Sequence, residues 1–192
     1  MTLLDVGQGL SVVVQTAHHL LVVDTGAKFP SENDMGQTVL LPFLRSQGVA
    51  KIDSLIVSHG DNDHIGGATS LMRGMPTEKV LTSVPKQLSG YAPIACIGGQ
   101  SWLWDEVTFT MLGPAAPDHD RLKVDTPSLA IAAPIPDRLT ANTPSLATQQ
   151  AFVSDNDNSC VLKIQSAHGT VLLTGDIEAA AESWLVASYG EA

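Results

Sequence analysis

The chain has 192 residues, 44% of them hydrophobic and 16% charged, which is enough apolar material to close one domain core and too little charge for a disordered chain. Ten basic against twenty acidic residues leave a net charge of −10, which argues against a protein that grips nucleic acid across a broad basic face, so phosphate chemistry here would need metal. No apolar run approaches the roughly 18 residues of a membrane span, and the N-terminus enters a strand pattern at once, without the basic and apolar regions of an export signal. Three strand-like runs come first, Thr2 to Val6, Ser11 to Thr16 and His19 to Asp24. Gly7-Gln8-Gly9 and Ala17-His18 separate them, and together they read as a small antiparallel meander. Apolar Val39, Leu40, Phe43 and Leu44 then mark a helix over 37–47, ended by Gly48 and with Pro42 as a kink or early-turn residue. The run Ser54-Leu55-Ile56-Val57-Ser58 is a buried strand, followed by the polar loop His59 to His64 and by Gly66-Gly67.

A second strand-rich half begins at Lys79 to Ser83 and resumes over 101–112. There Trp102 and Trp104, then Val107, Phe109 and Met111, alternate as in a sheet with one buried face. From 115 to about 156 the composition shifts to Pro, Thr, Asp and Ala, and Thr-Pro-Ser-Leu-Ala occurs at 126–130 and again at 143–147. This stretch is expected to be a surface insertion in a single domain, its pentapeptide too sparse for a repeat architecture. Ser159 to Gln165 and Thr170 to Thr174 form a hairpin around Ala167-His168-Gly169, and Ala179 to Tyr189 is a helix ended by Gly190. Cys96 and Cys160 lie far apart with no CxxC pair, which excludes a cysteine zinc site. Two buried free thiols are the expectation, with one disulfide as the alternative.

The chemistry concentrates in His59-Gly60-Asp61-Asn62-Asp63-His64, four candidate ligands in six residues at the end of an apolar strand. Imidazole nitrogen with carboxylate oxygen suits zinc, manganese or iron, and Gly66 and Gly67 let the loop turn sharply. A second acid, Asp176, follows the apolar strand Val171-Leu172-Leu173. The plain alternatives are a solvated polar loop for the first cluster and a helix N-cap for Asp176.

These residues resemble the metallo-β-lactamase superfamily, whose first metal motif reads H-x-H-x-D-H and whose later bridging Asp follows a strand. Within it they resemble the C-terminal hydrolase-like domain of the ComEC family, competence proteins that internalise DNA. The matching stretches are LDVGQG at 4–9, VVDTG at 22–26, VLLPFLRSQGV at 39–49, SLIVSHGDNDHIGG at 54–67, DNSCVLKI at 157–164 and VLLTGDIE at 171–178. The resemblance implies an α/β fold, an αββα sandwich with metals at one sheet edge. It also implies a further strand and a histidine-bearing segment past Ala192, so an incomplete second half is expected.

Carried over residue by residue, the resemblance has His59 and Asp61 bind a first divalent ion and Asp63 and His64 a second, with Asp176 bridging. Asp61 stands where the superfamily has its second histidine, a more oxygen-rich set that shifts preference from zinc towards manganese or magnesium. Asp63 would orient the nucleophile and accept its proton, in a metal-assisted attack on a phosphodiester. Asn158 and Ser159 occupy the stretch where the superfamily offers another histidine; they would donate hydrogen bonds to a phosphate oxygen, or equally stabilise a turn. Gln8 and Asp24 are candidates to brace the site from behind, against the simpler readings of a tight turn and a strand end. His119 is expected to be a solvated loop residue, His168 a turn residue and His18-His19 a turn pair, while Trp102, Trp104 and Trp184 are expected in core packing rather than base stacking.

The function these features imply is a metal-dependent nuclease-like domain of a DNA-uptake protein, acting on DNA, preferentially single-stranded, with the strand that is not imported as its expected substrate. By resemblance it belongs to a membrane channel protein and faces outside the cytoplasm. A different hydrolase of the same fold, or a silent module that binds DNA or the channel, are the competing expectations.

Overall fold

The computed structural model describes residues 1–114, 152 and 154–190. Two sheets pack face to face. The first has six strands in the order β1 (Thr2–Leu3), β2 (Val12–Gln15), β3 (Leu20–Val23), β4 (Ser54–Val57), β5 (Val80–Thr82) and β6 (Ile94–Ala95). Its first three strands are antiparallel, the expected meander, and β3 to β6 are parallel. The second sheet is wholly antiparallel, with β7 (Ser101–Trp104), β8 (Val107–Gly113), β9 (Val161–Ser166) and β10 (Gly169–Leu173) in the order β10-β9-β8-β7.

The continuous apolar runs of the first sheet have a simple cause: both of its faces are covered. Leu20 and Val22 of β3, with Leu55 and Val57 of β4, point to an outer core under the helices, alongside Leu40, Leu44, Leu71 and Met75. Leu21, Val23 and Ile56 point inward, where they meet Phe109, Met111, Leu162 and Ile164 of the second sheet. On the far side, α4 (Ala179–Tyr189) lays Leu185 against Leu112 and Val161. The layers are therefore helix, sheet, sheet, helix.

The helix expected over 37–47 is a π turn at Gly36–Leu40 running into α1 (Leu41–Ser46), with Pro42 in its first turn and Gly48 at φ 71°. Two short helices, α2 (Asn62–Ile65) and α3 (Ala68–Gly74), lie between β4 and β5. The stretch His59 to His64, expected as loop throughout, thus ends on a helical turn. Trp102 stacks on Phe109 at 5.2 Å and Trp104 meets Phe109 edge-on at 5.3 Å, in the core between the sheets as expected. His18 Nδ1 lies 2.8 Å from Asp105 Oδ1 and joins the β2–β3 turn to the β7–β8 turn, while His168 is exposed in the β9–β10 turn. His119, both Thr-Pro-Ser-Leu-Ala copies and all of the 115–156 insertion up to 151 lie outside the described residues.

The expectation of two free thiols is overturned: Cys96 and Cys160 form a disulfide, with Cα atoms 5.7 Å apart. The bond joins the end of β6 to the start of β9 and so ties one sheet to the other. It encloses a loop of sequence separation 64, for which denatured-state loop entropy gives about 4 kcal/mol. A Cys96→Ser, Cys160→Ser double variant is therefore expected to lose about 2–5 kcal/mol of unfolding free energy, read by urea denaturation against the oxidised parent. An unchanged midpoint would mean that the packed sheets alone set the stability.

Candidate metal centre

The site forms where β3, β4 and β10 end together. The ligand atoms of His59, His64 and Asp176 all lie within 4.8 Å of one another. His59 leaves the end of β4, His64 sits in α2 one turn later, and Asp176 follows β10 through Gly175, whose φ of 57° favours glycine. An added Cβ at Gly175 would lie 2.9 Å from the Ser159 side chain and 3.0 Å from Ser58 Cβ, so only glycine lets Asp176 swing this close to the histidines. His64 Nε2 is 3.2 Å from Asp176 Oδ1, and His59 Nε2 is 3.6 Å from Asp61 Oδ2.

Both rings are fully or almost fully buried, yet His59 Nε2 has no hydrogen-bond partner. An orphaned buried nitrogen is costly, and a bound cation would satisfy it. Burial works against charging His64, but the hydrogen bond to Asp24 and the charges of Asp24, Asp176 and Asp63 outweigh it and raise its pKa above the usual histidine value. The surroundings are thus arranged to favour positive charge, and the donor set of imidazole nitrogens and carboxylate oxygens fits a divalent cation.

Asp61 is on the solvent side, with a side chain 56% exposed. Asp63 stands outside the close triad but lines, with Gln8, Gly9, His64, Thr174, Gly175 and Asp176, an open cavity of about 550 Å³. Gln8 thereby faces the cleft. Gly9, at φ 107°, presses on the Asp63 backbone, where an added Cβ would meet the carbonyl oxygen at 2.0 Å.

Asp24 lies fully buried behind the histidines, also at positive φ. Its carboxylate accepts the Ser58 N–H at 2.7 Å, the Ser58 hydroxyl at 2.7 Å and His64 Nδ1 at 2.8 Å. Thr25 donates both its N–H and its hydroxyl to the His64 carbonyl, at 2.8 Å each. Asn62 straps the same loop to the backbone of Lys28 through its amide. The sequence pointed to Asp24 but passed over Ser58 and Asn62, which carry no signal beyond standing next to the ligands.

Of the two readings of the Asn158-Ser159 stretch, phosphate donors or a turn, the contacts favour the turn. Asn158 donates from Nδ2 to the carbonyls of Phe152 and Ser154, at 2.7 Å each, so its amide stabilises a turn. Ser159 is fully buried beneath Gly175, so its hydroxyl is closed off from a substrate. Nor is Asp176 the cap of α4: Asp157, buried beside it, accepts the Glu178 N–H at 2.7 Å and the Ala181 N–H at 3.4 Å. Asp176 is left free to face the histidines.

Comparisons with known proteins agree with this geometry. A family model described as the metallo-beta-lactamase superfamily matches residues 4–84. Competence protein ComA of Neisseria gonorrhoeae is 31% identical over 99% of the chain, which spans 21% of that relative's length. Ribonuclease J of Mycolicibacterium smegmatis is 32% identical over 41% of the chain and 14% of its own length. Among solved structures, a metallo-β-lactamase with a HARLDQ motif from Cronobacter sakazakii superposes with a TM-score of 0.51 at 16% identity, covering 86% of this chain and 55% of that one. With the αββα layers and the cluster at the strand ends, these findings show a metallo-β-lactamase fold in a chain that is similar over nearly its whole length to a competence protein.

Proposed function

We propose that the chain is the metal-dependent hydrolase domain of a DNA-uptake protein and that it cuts DNA phosphodiesters. The observation that carries this is the convergence of His59, His64 and Asp176, with the buried His59 Nε2 left unpartnered. The likeness to ComA over nearly the whole chain supports DNA as the substrate, and the likeness to ribonuclease J supports hydrolysis of a nucleic-acid backbone.

His59, His64 and Asp176 would hold the ions, with Asp61 and Asp63 completing a two-metal set of manganese or zinc, or else magnesium. When bound, the ions supply Lewis acidity, an activated water and neutralisation of phosphate charge, which reconciles an anionic substrate with a net charge of −10. Asp63, on the wall of the open cavity, orients the attacking water and takes its proton. Gln8, which lines the same cleft, contacts the substrate backbone. The cleft is open to solvent, which suits a single strand laid across it, and the strand not imported is the substrate this role implies.

The Cys96–Cys160 disulfide supports a place outside the cytoplasm, in the periplasm for a relative of an inner-membrane channel. No helix among the described residues is long and apolar enough to cross a membrane, so attachment to the channel would lie elsewhere in the parent protein. The expected result is Mn²⁺-dependent cleavage of single-stranded DNA, lost with EDTA and reduced about 10²- to 10⁴-fold in Asp63→Asn. Hydrolysis of a β-lactam or thioester with DNA left intact would move the function to another hydrolase of this fold.

A further inference from the structure

Ser58 stands between the buried Asp24 and His59. Its hydroxyl is 2.7 Å from Asp24 Oδ2 and 3.0 Å from His59 Nδ1. A hydroxyl has one proton to give, and a carboxylate can only accept. The shorter contact to the charged acceptor takes the Ser58 proton, so the Ser58 oxygen must accept from His59, which places a proton on Nδ1 and leaves Nε2 as a bare lone pair. Nε2 is the buried atom with no partner, and it faces the cluster. His64 meets the same carboxylate directly, Nδ1 to Asp24 Oδ2 at 2.8 Å, with its own Nε2 turned to Asp176.

We propose that Ser58 is a positioning residue that relays the Asp24 carboxylate to His59, so that one buried acid sets the tautomer of both histidines, one directly and one through a hydroxyl. The relay is rigid. The Ser58 N–H is held by Asp24, and its carbonyl accepts from the Ser83 hydroxyl at 2.8 Å and from the Cys160 N–H at 2.9 Å. Ser58 is thus fixed by its neighbour strand, by the opposite sheet beside the disulfide, and by Gly175, whose added Cβ would crowd it. Such outer partners fix ring orientation and raise ligand basicity, and their loss costs about 10- to 100-fold in metal affinity.

The proposal rests on the metal-centre function above, and the two are separated by reading the tautomer without metal and the affinity with it. In protein stripped with EDTA, two-bond ¹H–¹⁵N correlation spectra are expected to show His59 protonated on Nδ1 and unprotonated on Nε2. Ser58→Ala is expected to shift His59 towards the Nε2–H form and to weaken Mn²⁺ binding by about 10- to 100-fold in calorimetry, while Ser58→Thr, which keeps the hydroxyl, restores both. An Nε2–H His59 in the parent protein overturns the relay without recourse to any variant. So does a folded Ser58→Ala with parental tautomer and affinity. A parent with the Nδ1–H form that takes up no Mn²⁺ or Zn²⁺ overturns the metal centre, and the relay's purpose with it.

Discussion

Asp24→Ala is expected to cost on the order of 3–5 kcal/mol of unfolding free energy in the metal-free protein, and to abolish tight metal binding as well. The carboxylate is fully buried and accepts three hydrogen bonds, from the Ser58 N–H, the Ser58 hydroxyl and His64 Nδ1. Truncation leaves those donors in a dry interior, at about 1–3 kcal/mol for each unsatisfied group. It also removes a residue that tolerates positive φ at a position where φ is 57°. Asp24→Asn keeps the shape and one acceptor but turns an amide N–H towards two groups that need an acceptor, so a smaller loss of the same sign is expected. Urea denaturation with EDTA present reads both. A loss below about 1 kcal/mol for Asp24→Ala would mean that the histidines are held by packing alone.

Asp176→Asn separates stability from binding in the opposite sense. The Asp176 side chain is 45% exposed and does not cap α4, so the metal-free variant is expected within about 0.5 kcal/mol of the parent. With metal the two should part. At Mn²⁺ a hundredfold above the parental Kd, binding adds about 2.7 kcal/mol to the native state, whereas a hundredfold weaker variant gains only about 0.4 kcal/mol. Thermal denaturation with and without Mn²⁺ measures the difference. Equal stabilisation of parent and variant would remove Asp176 from the centre.

The strands and their order along the chain were legible because hydrophobic alternation is a local signal. Leu20 to Val23 and Leu55 to Val57 read as buried strands, since each residue has an apolar layer to meet on either face. Helix α3 was missed, although Ala68 and Leu71 are buried with helical spacing, because it is one short piece that follows Gly66 and Gly67 and ends on Gly74. At the site, His59, His64 and Asp176 were legible as chemistry, since ligand types cluster after apolar strands. The support was not. Ser58 and Asn62 act through partners 34 residues away, and that adjacency arises only when the β3 and β4 ends are side by side. The same holds for the disulfide: a separation of 64 residues says nothing of distance until β6 and β9 lie on facing sheets. The two readings of Asn158, phosphate donor or turn, stayed open for a related reason, because an exposed amide and one bonded to its own loop look alike in sequence.

The central claim is that His59, His64 and Asp176 hold a divalent ion. Anomalous diffraction from crystals grown with Mn²⁺ or Zn²⁺ tests it most directly. The expected result is anomalous density that places an ion within about 2.2 Å of His59 Nε2, of His64 Nε2 and of an Asp176 oxygen, weakened or absent in Asp176→Asn. A peak elsewhere, or none with those three side chains in the same places, would contradict it.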